Sequence, residues 1–412
     1  MGEAGRRGTG EEGSTFLTRA PAPPTGEMWR ADAATASSRQ SPVMPRRLRP
    51  LPDSLRWNVF TTAEARAAGV SGGRLQASDV IRIGRGLYAR SEMPTDATDA
   101  SVDQSGSAPG QAGIHERRDT SGHLVHDPTT DREGPPPSSA DPSHDGVHAV
   151  READVIRALQ RADPDAVACG LSAARLWRLP LPRGLTSWDA GAPVAQVEMS
   201  RPGIHRLSRG LVAWRSFDLA PADVSRVSGV GATSRLRTFL DLADVLAQDD
   251  LVVIGDHLVR IPRPSVEGRS RPFVELSLLT EAVGSFSGRG ARRLRAALAD
   301  VRVGADSPPE TALRLALQRA GLPDPLLNAT IRQDGQWLGD PDMAWRDWKV
   351  CVEYDGRHHR TQAQQAKDVR RGERRRLAGW TELIVTAEDM AHDASQAVVR
   401  VRAELRRQAM TG

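Results

Sequence analysis

The stretch GDPDMAWRDWKVCVEYDGRHH, from Gly339 to His359, limits the choice of fold more than any other part of the chain. Trp348 to Asp355 is rich in β-branched and aromatic residues and stops at Gly356, which predicts a short strand closed by a turn. Side chains alternate across a strand, so Val350, Val352 and Tyr354 share an apolar face while Glu353 and Asp355 share the other. Asp334-Gly335 supplies an upstream turn, and Trp337 to Trp345 reads as the preceding strand, with Asp342 just after Pro341. Antiparallel pairing of these two strands would bring Asp342 beside Glu353. Carboxylates so placed are hard oxygen ligands suited to Mg²⁺ or Mn²⁺, which keep several waters and leave room for a substrate phosphate. Such an ion polarises a phosphate and acidifies an attacking water, so the pattern points to phosphodiester hydrolysis.

Most of these residues also have a purely structural reading. Ser307-Pro308-Pro309-Glu310 fits a helix-capping box, a role compatible with a second one for Glu310 in a site. Asp355 before Gly356 fits a turn, Asp342 after a proline fits a loop, and His358 and His359 fit a solvated surface. Glu353 resists such a reading. An acid between Val352 and Tyr354 in a buried strand costs stability unless it is paired or liganded.

The order of elements here resembles the PD-(D/E)xK restriction-endonuclease superfamily, and within it the Vsr-like group, over roughly the last hundred residues. Pro341-Asp342 looks like the PD pair, Glu353-Tyr354-Asp355 like the (D/E)xK element, and Glu310 like the acid on the helix before the hairpin. Asp355 stands where the superfamily has its lysine. The Vsr-like group also lacks that lysine and carries Asp-Gly followed by histidine, as Asp355-Gly356 and His358-His359 do. Lys349, on the strand face of Glu353, is a partial substitute. The resemblance implies a catalytic set of Asp342, Glu353, Asp355, His358, His359 and Glu310, with Asp342, Glu353 and Asp355 as ligands of Mg²⁺ or Mn²⁺.

Downstream, Arg360, Lys367, Arg370, Arg371, Arg374, Arg375 and Arg376 fall on or beside a helix expected from Gln362 to Ala378 and ended by Gly379. Arg360, Lys367, Arg370, Arg371 and Arg374 are candidate contacts to DNA, because arginines hold phosphates while carboxylates hold a metal. The alternative is a solvated basic face. Trp380 to Val385 reads as a further strand, giving the α-β-β-α-β order of the superfamily.

Near the other end, Phe60 to Ala68 reads as a helix, Gly69 to Ser71 as a turn, Gly72 to Val80 as a second helix and Ile81 to Tyr88 as a basic wing. That is a winged helix-turn-helix, in which Arg74 would probe base edges or phosphates and Arg82 and Arg85 would hold backbone. The segment resembles the N-terminal domain of AbiEi-type antitoxins, which implies promoter DNA and a cognate toxin as partners. A protein-binding role for the same fold stays open.

Between these ends, residues 149–303 alternate helical and strand patterns. A segment containing Ser172-Ala173-Ala174-Arg175-Leu176-Trp177 and a helix over Thr233 to Ala247 resemble the region that follows the winged helix in AbiEi-type proteins. Asp241, Asp256 and His257 are isolated and read as caps and surface groups, and the basic run from Ser287 to Arg293 as a solvated connection.

The chain has 412 residues, enough for two or three domains, and a net charge of +4. Only Lys349 and Lys367 are lysines among its 56 basic residues, so the charge reflects an arginine bias more than a commitment to nucleic acid. Cys169 and Cys351 lack metal-ligand spacing, which predicts no disulfide frame and a reducing, cytoplasmic setting. No stretch is long and apolar enough to predict a membrane span. The expectation is therefore an α/β multidomain protein. It comprises a winged helix-turn-helix over 51–91, an α/β middle domain over 149–303 and a restriction-endonuclease-like domain over 304–412, with residues 1–50 and 92–148 disordered.

Overall fold

The computed structural model describes residues 48–55, 57–91, 150–188, 196–208, 210–356 and 362–411. The disorder expected over 1–47 and 92–148, and the candidate residues His358, His359 and Arg360, lie outside the described residues. What is described from Pro50 onward belongs to one contact unit of mixed α/β structure.

After a 3-10 turn at Asp53–Leu55 come β1 (Val59–Thr61), α1 (Thr62–Ala67), a second 3-10 turn at Arg74–Gln76, β2 (Val80–Gly84) and β3 (Leu87–Arg90). The strands form an antiparallel sheet in the order β1-β3-β2. Thr61 caps α1 reciprocally with Glu64, each side chain accepting the other's backbone N–H. The helix expected over Gly72 to Val80 is absent and only the Arg74–Gln76 turn stands there. Gly72 and Gly73 open that segment, and each glycine disfavours an α-helix by about 1 kcal/mol relative to alanine. Where the wing is expected, β2 and β3 form an antiparallel hairpin joined through Arg85-Gly86.

The middle holds α2 (Glu152–Ala162), β4 (Val167–Ala168), α3 (Gly170–Leu176), β5 (Val197–Ser200), β6 (Val212–Arg215), β7 (Val224–Val227), β8 (Val230–Thr233), α4 (Arg235–Asp241), α5 (Gln248–Val259), α6 (Pro264–Glu267), α7 (Leu276–Ser285) and α8 (Ala291–Asp300). Its strands make a mixed sheet in the order β6-β5-β4-β8-β7. One core runs from Ile156, Met199, Phe239 and Leu251 to Val59, Leu87 and Ala89 of the N-terminal sheet. The two segments therefore bury apolar surface together, which is the main source of their stability.

The remainder comprises α9 (Pro308–Arg319), β9 (Leu326–Leu327), β10 (Ile331–Gln333), β11 (Gln336–Gly339), β12 (Met343–Trp345), β13 (Val350–Asp355), α10 (Gln362–Leu377), β14 (Thr381–Thr386) and α11 (Ala391–Thr411). Its main sheet is ordered β14-β13-β12-β9, with β13 and β14 parallel and the other pairs antiparallel. Trp337 to Trp345 is not one strand: it breaks at Asp340-Pro341-Asp342, and β11 pairs with β10 in a separate hairpin. The missing N–H of Pro341 is consistent with that break. Val350 and Val352 pack with Leu313, Leu317, Val401 and Leu405 on one face, while Cys351 packs with Ile331, Leu338 and Trp380 on the other. The predicted alternation of β13 is thus seen.

Asp256 and His257 are neither caps nor surface groups. The Asp256 carboxylate is buried and accepts from Arg314 at 2.8 Å, Thr311 Oγ1 at 2.9 Å and the Arg302 amide at 2.7 Å, tying α5 to α9. His257 lies tilted against Phe273, with ring centroids 5.3 Å apart, and burial, with Arg260 close by, pushes its pKa down to about 4. Asp241 is likewise buried and paired with Arg237 at 2.8 Å.

Candidate active site

The acidic site is built by strand register. Met343 faces Val352 across β12 and β13, so Asp342, one residue earlier, comes opposite Glu353. Cross-strand partners present their side chains on the same face, which places both carboxylates on the face of Cys351 and Asp355. Asp342 Oδ2 accepts the Tyr354 amide at 2.6 Å, which fixes its orientation. Glu310 enters from the first turn of α9. It does not form the expected capping box with its own backbone, because Ser307 Oγ donates to its Oε1 at 2.7 Å and the Asp306 amide to its Oε2 at 2.8 Å. Asn328 completes the arrangement: its Nδ2 reaches Glu310 Oε2 at 2.9 Å while its amide donates to the Asp342 carbonyl.

Electrostatics mark Asp342. Burial, and after it the negative charge of Glu310, raises its pKa to about 7. Burial also raises Glu310. The fold therefore gathers the anionic groups Glu310, Glu353 and Asp306 around Asp342.

Glu353 is held differently. Its Oε1 accepts from Arg375 Nη1 at 2.7 Å and lies 3.7 Å from Arg371 Nε, and Arg371 also pairs with Asp368 at 3.0 Å. Arg375 is fully buried and donates from Nε to the Leu338 carbonyl and from Nη1 to Glu382 as well. Close approach of α10 to the strand break requires glycine at Gly339. Its φ is +102°, and a Cβ there would lie 2.7 Å from Arg371 Cδ and 3.0 Å from Arg375 Nη2. A cleft of about 330 Å³ opens between α10 and β13–β14, lined by Glu353, Asp355, Asp368, Arg371, Glu382 and Ile384, among others. Asp355 thus joins Glu353 in the cleft, whereas Asp342 and Glu310 do not line it.

Lys349 lies apart from Glu353, with its Nζ beside the Gly379 position. It precedes β13 with φ of +49°, four residues from Glu353, or roughly 13 Å along an extended chain. Of the basic candidates on α10, Lys367 and Arg370 are exposed, Arg371 turns into the cleft, and Arg374 lies over the ring of Trp337 with 5.7 Å to its centroid. In the N-terminal sheet Arg82 and Arg85 are exposed, but Arg74 folds back onto Asp79 in a bidentate pair at 2.6 and 2.7 Å. The sequence does not point to Glu382, Asn328 or Asp306 as site residues, and shows Arg375 only as one arginine of the basic helix.

Among the described residues no three Asp, Glu, His or Cys side chains form a group able to hold a metal ion. Asp342 and Glu353, opposite each other in the β12–β13 register, are the pair that could hold a hard divalent ion keeping most of its waters. Asp342 accepts through Oδ2 and Glu353 through Oε1, leaving one carboxylate oxygen of each uncommitted among the described residues.

No family model matches the chain. It is similar to uncharacterized proteins of two Mycobacterium tuberculosis strains, CDC 1551 / Oshkosh and H37Rv, each 28% identical over 277 residues, spanning 65% of this chain and 93% of the relative.

Proposed function

We propose that the chain binds DNA and that its C-terminal part is a Mg²⁺- or Mn²⁺-dependent endonuclease. The single observation that carries this reading is the β12–β13 register, which sets Asp342 opposite Glu353. Support also comes from the α9-to-β14 succession of elements around it and from the resemblance of Pro341-Asp342 and Glu353-Tyr354-Asp355 to the superfamily motif.

In this reading Asp342 and Glu353 hold the ion, and Asp355 and Glu310 shape the surrounding field. A bound divalent ion supplies polarisation of the scissile phosphate and a more acidic water. The Tyr354 amide keeps Asp342 aimed, and Asn328 and Ser307 keep Glu310 from turning away. Exposed Lys367 and Arg370 bind neighbouring phosphates, with Arg82 and Arg85 holding backbone elsewhere. His358 or His359 neutralises the scissile phosphate or helps activate water.

A second reading has its own observation. Arg375 already occupies Glu353, and Asp355 stands where a lysine would, as expected of a transcriptional regulator of the antitoxin type in which an inert nuclease fold only binds DNA. Incubating plasmid and short duplexes with the purified chain and Mg²⁺ or Mn²⁺ separates the two. The first reading expects nicking or cutting that falls about a hundredfold or more in Asp342→Ala, with binding retained. The second expects no cutting and equal binding by both proteins.

A further inference from the structure

Arg375 sits where α10 meets the sheet, fully buried, with two carboxylates on one nitrogen. Nη1 lies 2.7 Å from Glu353 Oε1 on β13 and 2.7 Å from Glu382 Oε1 on β14, while Nε donates to the Leu338 carbonyl at 2.9 Å. A buried guanidinium stripped of its counter-ion is strongly destabilising, so such a residue is ordinarily tied to its partner. Here two carboxylates share one guanidinium nitrogen. With Glu353 turned away, Glu382 still balances the charge and Leu338 still accepts from Nε. The side chain of Glu353 is 21% exposed and lines the cleft, so it is not locked in an apolar interior. It also stands at the register position of Asp342, where an ion would draw on both carboxylates.

We propose that Arg375 is an exchangeable latch on Glu353: it holds this carboxylate while no divalent cation is bound and passes to Glu382 when Glu353 turns to a cation beside Asp342. This rests on the cation site proposed above. It adds Glu382, a residue that does not touch the cation, as the one that sets how readily Glu353 is released. Removing the positive charge of Arg375 should tighten cation binding. Neutralising Glu382 should weaken it, because Arg375 then has only Glu353 to hold.

Calorimetric titration of the full chain with Mn²⁺ alone tests the latch. Arg375→Gln is expected to bind Mn²⁺ roughly ten- to a hundredfold more tightly than the parent, the scale of one charge a few ångströms from the site. A variant that merely lost structure would bind less. Glu382→Gln, a part-exposed and nearly isosteric change, is expected to bind about tenfold more weakly in the parent and unchanged in the Arg375→Gln background. If Arg375→Gln does not fold, Glu382→Gln in the parent decides: unaltered Mn²⁺ affinity overturns the latch. Equal weakening by Glu382→Gln in both backgrounds makes Glu382 a ligand and also overturns it. A parent that binds Mn²⁺ under the latch's control yet cuts nothing sinks the endonuclease reading and leaves the latch standing. Absence of Mn²⁺ binding in parent and Arg375→Gln alike sinks both.

Discussion

Asp342 shows how a single group couples the site to stability. Its pKa rises from 3.8 to about 7 on folding, so between those values the native state binds more protons than the unfolded chain. Stability contributed by the protonated form is complete below about pH 4 and is lost as pH climbs toward 7. In EDTA, Asp342→Asn should match the parent near pH 4 and exceed it near pH 8 by an amount on the order of 2–4 kcal/mol, read as the difference between thermal or urea midpoints. A variant no more stable at pH 8 would mean that Asp342 is not strained by its neighbours. At this scale the sequence was partly legible. The carboxylates Asp342 and Glu353 could be paired because strand alternation and hairpin pairing are local rules. Arg375 could not be distinguished from Arg374 and Arg376, since only the phase of α10 against the sheet turns one of three adjacent arginines inward.

Elements that carry a strict period were the ones read correctly. The two-residue alternation of β13 and the position of α10 fall where expected, within a residue or two. The phase of α10 was illegible for a physical reason: its apolar Val369 and Leu377 are exposed, and the inward side is made of Arg371 and Arg375. Hydrophobic periodicity assumes the reverse. The second helix of the N-terminal segment does not form because two consecutive glycines at its start outweigh its side-chain pattern. For α10, salt dependence offers a test. Lys367→Ala and Arg370→Ala should each lower the slope of log binding constant against log salt by about 0.9 on duplex DNA, measured by fluorescence anisotropy. An unchanged slope would assign these residues to a solvated face.

Across the whole molecule, the expected divisions are crossed by shared interiors. Asp256 of α5 and Arg314 of α9 form a buried pair at 2.8 Å, with Thr311 and the Arg302 amide completing the carboxylate's partners. Asp256→Ala leaves Arg314 buried without its counter-ion and should cost about 3–5 kcal/mol in urea unfolding, whereas a surface pair would cost little. No local pattern announces such a join, because its members are 58 residues apart. The same holds for Val59, Leu87 and Ala89, which complete the core of the middle segment from the far side of residues 92–149. Recombination that moved residues 50–91 alone into another gene would therefore carry off three side chains of its neighbour's interior and leave two misfits. The N-terminal sheet and the middle segment should be inherited together or not at all.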